Sequence, residues 1–266
     1  MYFLHIFLLT DDKSSRFFRR TFIKFLIISS KIFMNEKYAA YLLEKTKDDY
    51  NTIADHYAGT RSFISPDLKK VGSYASDNEK VLDLGCANGR LIEIFKGRKI
   101  DFFGVDFSDK LIDLAKNKYP SACFKTADAL DLPFPNNYFD KVYSISVLHH
   151  IPSQDKRIKY LKESYRVLKP GGWLILRVWN FWQKKEGWKL FFNYALLKLA
   201  GRSKMDFYDI LLPWKNSQGQ TIVERYFHCF TKRRLARLAK QAGFSLKKKY
   251  IEGQGRQSNI YIIAEK

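Results

Sequence analysis

The run Val81-Leu-Asp-Leu-Gly-Cys-Ala-Asn-Gly-Arg90 constrains this chain more than any other stretch. A short apolar run ending in Asp83-Leu84-Gly85, then small residues, then a helix-like segment predicts strand, tight turn and helix. Gly85 and Gly89 would let a ligand approach backbone N–H groups that a Cβ would shield. A helix N-terminus just beyond the turn would favour an anionic group. No Gly-Lys-Ser/Thr is present after the turn, which argues against a nucleoside triphosphate. The spacing Gly85-x-Ala87-x-Gly89 also departs from the dinucleotide pattern Gly-x-Gly-x-x-Gly.

Motifs at fixed distances downstream of the turn are decisive. Asp101-Phe-Phe-Gly-Val-Asp106 predicts a second strand ending in an acid about twenty residues past the turn, where an α/β nucleotide site places the carboxylate for the ribose hydroxyls. Ala127-Asp128-Ala129 comes after a third strand, and Phe139-Asp-Lys-Val-Tyr-Ser-Ile145 reads as a fourth. Leu168-Lys-Pro-Gly-Gly172 leads into Trp173–Val178. This ordered set, over roughly residues 50 to 180, resembles the class I S-adenosylmethionine-dependent methyltransferases of the type 11 group. The resemblance implies an α/β fold: a Rossmann-like seven-stranded, mostly parallel sheet with helices on both faces and a C-terminal antiparallel strand pair.

Periodicity fills in the rest. Tyr38–Tyr57 predicts a helix lying across the cofactor opening, with Tyr41, Leu42, Tyr50, Ile53 and Ala54 on one stripe. Strands are expected at Lys80–Leu84, Phe102–Asp106, Ala122–Lys125, Lys141–Ile145 and Trp173–Val178. Ser108 is a plausible N-cap, Asp155–Leu168 is amphipathic, and Thr231–Gly243 reads as a helix with a glycine stop. Residues 180–220 form an insertion rich in aromatic residues and lysine, helical at about Trp188–Leu199. Phe244–Lys249 and Asn259–Ala264 predict the closing strand pair. No repeat or Pro-rich linker divides residues 34–266, so one domain is expected.

Residues 1–33 stand apart. Their apolar runs, Tyr2–Leu9 and Phe22–Ile28, fall short of the ~18 residues that span a bilayer, and no secretory cleavage pattern accompanies them. Stable membrane insertion is not expected. Met34 opens a hydrophilic helical stretch and reads as the start of the folded chain, with the preceding segment an upstream mis-assignment; an interfacial amphipathic helix is the alternative.

Among 266 residues, 46% hydrophobic and 16% aromatic content excludes a disordered chain. Cys86, Cys123 and Cys229 are widely spaced, which suits a reducing cytoplasm and predicts neither a disulfide framework nor a metal site. The net charge of +20 is uneven: residues 153–266 hold 25 Lys+Arg against 8 Asp+Glu. That asymmetry points to a polyanionic partner, nucleic acid or an anionic membrane surface.

By the resemblance, the cofactor is S-adenosylmethionine as methyl donor. Asp83 would end the first strand near the methionine ammonium, with Gly85, Cys86, Ala87 and Gly89 forming the turn. Asp106 would take the ribose hydroxyls with Phe107 beside the adenine. Asp128 would accept from the adenine amine and the Ala129 backbone would meet the ring. Tyr57 and Ile145 complete the expected cofactor shell.

Further motifs resemble one subfamily, the tRNA wobble-uridine carboxymethyl methyltransferases. They are Tyr50-x-x-Ile-Ala-x-His-Tyr-x-x-Thr-Arg61, Leu132-Pro-Phe-Pro, Val147-Leu-His-His150, Arg225-Tyr-Phe-His-Cys-Phe230 and Ser258-Asn-Ile-Tyr261. This implies esterification of a 5-carboxymethyl group on uridine 34, an anticodon stem-loop partner and a small zinc-binding activator subunit. A carboxylate is ionised at neutral pH and needs no general base, only a cation or donors to orient it. Arg61 is the first candidate for that role or for a phosphate contact. The bland alternative is an ion pair with Asp55 or Asp67. His149 or His150 would bond the uracil or its carboxylate, one packing under the sheet edge and the other facing the pocket. His228 and Asn259 are further candidates for base contacts. Lys232, Arg233, Arg234, Arg237, Lys240 and Lys247–Lys249 are expected at phosphates, and aromatic residues of the insertion at splayed bases. The rival function is O- or C-methylation of a small molecule or quinone precursor, which would need His149 or His150 as base.

Overall fold

The computed structural model describes residues 33–61, 63–183 and 185–266. The expectations for residues 1–32 lie outside the described residues.

Chain order explains the architecture. Helix α1 (Glu36–Thr52) starts at an Asn35 cap whose side chain accepts from the Tyr38 N–H. It breaks at Ile53 and continues as α2 (Ala54–Thr60), so the single expected helix over Tyr38–Tyr57 is two. A short α3 (Pro66–Val71) precedes β1 (Lys80–Leu84). After the glycine turn the chain forms a six-residue 3₁₀ segment, Arg90–Phe95, rather than the α-helix expected there. Gly89 enters it with a left-handed backbone, and six residues of 3₁₀ present a weaker N-terminal dipole than a full helix.

Next come β2 (Asp101–Asp106), α4 (Asp109–Lys118, capped by the Ser108 hydroxyl), β3 (Cys123–Thr126) and β4 (Phe139–Ile145). Helix α5 (Gln154–Val167) feeds directly into β5 (Leu168–Trp179), a strand that takes in the Lys-Pro-Gly-Gly run expected to lead into it. The insertion holds α6 (Lys185–Leu199) and a hairpin, β6 (Asp209–Lys215) with β7 (Thr221–His228), that the sequence reading missed. Helix α7 (Lys232–Gln241) and the antiparallel strands β8 (Ser245–Glu252) and β9 (Asn259–Glu265) end the chain.

The main sheet has seven strands in the order β3-β2-β1-β4-β5-β9-β8. Strands β1 to β5 are parallel, and β9 runs antiparallel to both β5 and β8. Residues of alternate parity along each strand face opposite sides. Leu82, Leu84, Val142, Leu174 and Leu176 pack under α5 and α7. Val81, Tyr143, Ile175 and Ile263 pack against α3, the 3₁₀ segment and α4. Burial on both faces is why these strands read as near-continuous apolar runs.

Strand β8 closes one edge. Its Lys247 pairs with Glu265 and its Lys248 lies over the Tyr74 ring. The lysine run expected at phosphates thus lies on an exposed sheet edge, where lysines discourage further strand pairing. Among the described residues no helix is long and apolar enough to cross a membrane.

Candidate active site

Two cavities meet above the C-terminal ends of the parallel strands, as a ligand site at a strand-order switch point requires: β1 lies between β2 and β4. The first is lined by Leu84, Gly85, Ala87, Asp106, Phe107, Asp128, Ala129 and Ile145, and roofed by Leu43, Thr46, Lys47 and Tyr50 of α1 with Tyr57 of α2. The helix expected to lie across the opening therefore does so.

Asp106 anchors this pocket. Its Oδ2 accepts from the Ala87 N–H at 2.9 Å and its Oδ1 from the Ser108 N–H at 2.9 Å. Each oxygen keeps a further lone pair for a hydroxyl, which is what a ribose diol needs. Burial pushes its carboxyl up, opposed by the N–H groups of Ser108, Ala87 and Phe107. Lys47 lies 5.0 Å from the centroid of the Phe107 ring. Asp128 accepts from the Leu130 N–H at 2.8 Å.

The turn glycines act differently from the sequence expectation. Gly85 has φ +80°, and a Cβ there would lie 2.3 Å from Val147 Cγ2; a Cβ on Gly89 (φ +74°) would lie 2.7 Å from the Phe124 ring. Both are required by backbone sign and by packing against protein, and Gly85 also lines the pocket. Ala87, between them, holds φ +49° as a non-glycine. Cys86 is buried with its Sγ turned toward Gly104 and does not line the pocket.

Asp83 precedes the lining residues Leu84 and Gly85 at the end of β1 and is not itself among the residues lining this cavity. It is 2% exposed, and among the described residues its carboxyl meets no hydrogen-bond donor. Burial, then the nearby Asp106 charge, push it up to about 8 against the pull of Arg90. A buried carboxyl in that state fits a cationic ligand group such as an α-ammonium. With the Asp106 diol seat and the aromatic Phe107, these residues fit S-adenosylmethionine.

The second cavity shares Tyr50, Tyr57, Ser146 and His150 with the first and adds Arg61, Asp67, Arg90, His149, Arg177, Trp179, Arg225 and Asn259. Four arginines thus face two acids, Asp67 and Glu252. Asp67 is already committed: it accepts from Arg177 at 3.2 Å, Asn259 at 3.3 Å and the Tyr261 hydroxyl at 2.6 Å. Burial opposes its ionisation, but hydrogen bonds from Ser65 and Tyr261 and the Arg177 charge outweigh burial and hold the carboxyl low. Glu252 pairs with Lys70. Arg177 also donates to Ser146 Oγ from two of its nitrogens.

Arg61, Arg90 and Arg225 lack carboxylate partners among the described residues; Arg90 donates to the Phe63 carbonyl at 3.1 Å, which leaves Arg61 and Arg225 stacked on aromatic rings. The ion pair of Arg61 with Asp55 or Asp67 therefore does not form. Arg61 stacks over Tyr57 and Trp214, 5.6 Å from each centroid. Arg225 is 4% exposed, lies 4.5 Å from the Trp214 centroid, donates to the Tyr50 hydroxyl at 3.3 Å, and keeps a buried Nε–H with no partner.

The two histidines differ. The Nδ1 of His150 faces the Tyr226 carbonyl at 2.9 Å, so Nδ1 carries the proton and Nε2 accepts from the Tyr50 hydroxyl at 2.8 Å. Both nitrogens are engaged, and burial with the Arg225 charge pushes His150 down to about 3. His149 is fully buried against Phe227 and Trp179; its Nδ1 accepts from the Trp179 N–H at 3.4 Å. Its Nε2 is buried without a partner, and burial followed by the His150, Arg177 and Arg225 charges holds the ring neutral. His149 is therefore the packed one, while His150 faces both cavities.

His228 does not reach this site. Strand β7 alternates, sending Arg225 and Phe227 toward His149 and His150, and Tyr226 and His228 to the opposite face. There His228 Nδ1 meets Asp209 Oδ1 at 2.7 Å. The residue that the sequence reading missed in this run is Arg225. Arg90, Arg177, Tyr50 and Asp67 were also missed, since nothing local distinguishes them from surface or core residues. Of the insertion's aromatics, Trp214 and Phe181 are buried, while Trp188 and Phe192 stand exposed on α6.

Residues 82–176 match the family model for a methyltransferase domain. The chain carries such a domain with the fold of the S-adenosylmethionine-dependent methyltransferases. A methyltransferase of that type from Methanosarcina mazei superposes with a TM-score of 0.64 at 24% identity, over 76% of this chain and 98% of that one. Among curated relatives, the tRNA (carboxymethyluridine(34)-5-O)-methyltransferase of Arabidopsis thaliana is 33% identical over 130 residues, 49% of this chain and 31% of that protein. The Schizosaccharomyces pombe protein of the same name is 27% identical over 235 residues, 82% of this chain and 94% of its own length. The chain spans about a third of the length of the first curated relatives it matches.

Proposed function

We propose that this protein is an S-adenosylmethionine-dependent tRNA methyltransferase that esterifies the 5-carboxymethyl group of wobble uridine 34. The observation that carries this reading is the charge of the second cavity. Three arginines without carboxylate partners, Arg61, Arg90 and Arg225, face a space that opens onto the cofactor pocket between Tyr50, Tyr57, Ser146 and His150. A guanidinium fork suits a planar carboxylate.

When bound, S-adenosylmethionine supplies an electrophilic methyl on a sulfonium. Transfer of that methyl to a carboxylate oxygen of the substrate would leave the C–S electron pair on sulfur and would require no proton to move. The protein's work is to hold the carboxylate in line and keep water out. Arg225 and Arg61, both stacked on Trp214, orient the anion. Tyr50, held as a neutral hydroxyl by burial that pushes it up to about 12, bridges Arg225 and His150 at the junction of the cavities. Asp67 keeps Arg177 and Asn259 in place at the rim. The product is a neutral ester, so the same arginines that draw in the acid hold the product less tightly.

Methylation of a phenol or carbon requires a base, and the histidines do not supply one. Both nitrogens of His150 are engaged, and His149 Nε2–H is a donor among aromatic rings. This disfavours the quinone-precursor reading. The polyanion partner fits the basic half of the chain, and the names of the relatives add the substrate class. The small activator subunit implied by the resemblance is tested by its co-purification with the tagged protein.

Mass spectrometry of wobble nucleosides in tRNA from cells with and without the gene tests the assignment. Loss of the methyl ester with build-up of the free carboxymethyl form supports it. Unchanged wobble nucleosides overturn it.

A further inference from the structure

On the other face of the β6–β7 hairpin lies a separate cleft, lined by Gln154, Arg157, Tyr208, His228, Arg234 and Arg237. Two of its charged or polar walls are almost wholly buried, Arg157 at 3% and His228 at 2% exposure. Arg157 donates to the Ile151 carbonyl and the Tyr226 hydroxyl, with the Asp206 carboxylate 3.9 Å away. The Asp209 carboxylate accepts from His228 Nδ1, which leaves the lone pair of Nε2 as an acceptor. Among the described residues nothing donates to it. Arg234 lies 4.0 Å from the centroid of the Tyr208 ring, and Arg237 sits one turn further along α7. The acids here, Asp206 and Asp209, face Arg157 and His228, and among the described residues Arg234 and Arg237 pair with no carboxylate.

Two free guanidinium forks beside a neutral acceptor make a specific donor set. The forks match phosphate oxygens. The acceptor matches a hydroxyl next to the phosphate, and in nucleic acids only RNA offers one, at the ribose 2′ position. We propose that this cleft grips a ribose-phosphate unit of the tRNA backbone away from the wobble nucleotide. The proposal rests on the tRNA reading above and adds a second contact, on the hairpin face opposite the reacting carboxylate. One strand thus serves both: Arg225 on one side of β7 and His228 on the other.

The test compares Arg234→Ala/Arg237→Ala with Lys116→Ala/Lys118→Ala, which removes the same charge from α4. Each full-length protein is titrated with tRNA and with anionic phosphatidylserine vesicles over a range of salt. The cleft variant is expected to bind tRNA about tenfold more weakly and to lower the slope of log Kd against log salt by about 1 to 2, with little change in kcat at saturating tRNA. The control variant should lose less than half of that on a logarithmic scale. Equal losses in both variants, or none in the cleft variant, overturn the proposal. So does loss of vesicle binding alone, which would make the site one for lipid phosphate. A second variant, His228→Phe, should narrow the preference for an anticodon stem-loop RNA over its 2′-deoxy counterpart; an unchanged preference in a folded variant counts against the hydroxyl contact. If the unaltered protein neither binds nor methylates tRNA, the tRNA reading itself fails, and this is seen before any variant is made.

Discussion

The guanidinium of Arg225 rests on the indole of Trp214, 4.5 Å from its centroid, with an unpartnered Nε–H and no carboxylate among the described residues. A buried cation in that condition is costly unless a ligand completes it. Replacing it should therefore damage substrate recognition more than folding. Arg225→Ala is expected to lower kcat/KM for the carboxylate substrate by about a hundredfold, on the order of 3 kcal/mol for a charge-assisted bond. Arg225→Lys should recover part of the charge but not the fork. Steady-state kinetics decide it, and an effect within about twofold, no more than ~0.4 kcal/mol, would remove Arg225 from the site.

Asp83, buried beside the cofactor pocket, links cofactor binding to pH. Its carboxyl is pushed up to about 8, so below pH 8 the ligand-free protein holds a proton there that an ammonium must displace. S-adenosylmethionine affinity should rise with pH, by at most about tenfold per unit, until the ligand's own α-ammonium begins to lose its proton. Calorimetry near pH 7 in buffers of different ionisation enthalpy should report release of about one proton per cofactor bound. No proton release would place the ammonium elsewhere.

The same shift has a stability sign. The folded state binds the Asp83 proton that the unfolded chain has lost, so between the ordinary carboxylate range and about pH 8 this residue's contribution falls as pH rises. Asp83→Asn should raise the melting temperature of the ligand-free protein at pH 8, by a few degrees, while abolishing cofactor binding. Thermal scans with and without cofactor check both halves.

Because no proton moves in the esterification, kcat at saturating cofactor and substrate should stay flat from about pH 6 to 9. His150→Gln should lower activity through the lost Tyr50 contact yet leave that flat profile. A bell-shaped profile, or a complete loss with a new pH dependence, would restore a histidine base and the small-molecule reading.

The turn itself holds a strained residue. Ala87 adopts φ +49°, a region that favours glycine by roughly 1 kcal/mol. Ala87→Gly should be neutral or stabilising by up to about 1 kcal/mol. Gly85→Ala should destabilise by about 2–4 kcal/mol, since its Cβ meets Val147 at 2.3 Å. Denaturant titration of both variants is the check.

Much of the fold was legible because its signals are local. The apolar runs at Lys80–Leu84 and Val142–Ile145 and the acid closing β2 mark parallel strands, and the Ser108 cap fixes the start of α4. The cofactor acid Asp106 was readable for the same reason: it closes a strand at a set distance from a glycine turn. The hairpin β6–β7 was not readable, since Pro213 and Lys215 interrupt its alternation and its partner helix α6 shares the same aromatic composition. That omission carried the error at His228. Without knowing that residues 221–228 form a strand, nothing separates Arg225 from His228, although their side chains face opposite ways. The Asp67 cluster was illegible because Asp67 lies more than 100 residues from its partners Arg177, Asn259 and Tyr261 in the chain.

The most direct measurement is methyl transfer in vitro from labelled S-adenosylmethionine to tRNA carrying 5-carboxymethyluridine at position 34, then treatment with mild alkali. The account predicts label on that nucleoside that alkali releases as methanol, as an ester must, and none on tRNA carrying the amide in place of the acid. Label that resists alkali, or tRNA that accepts none while a small phenolic acceptor does, would contradict it.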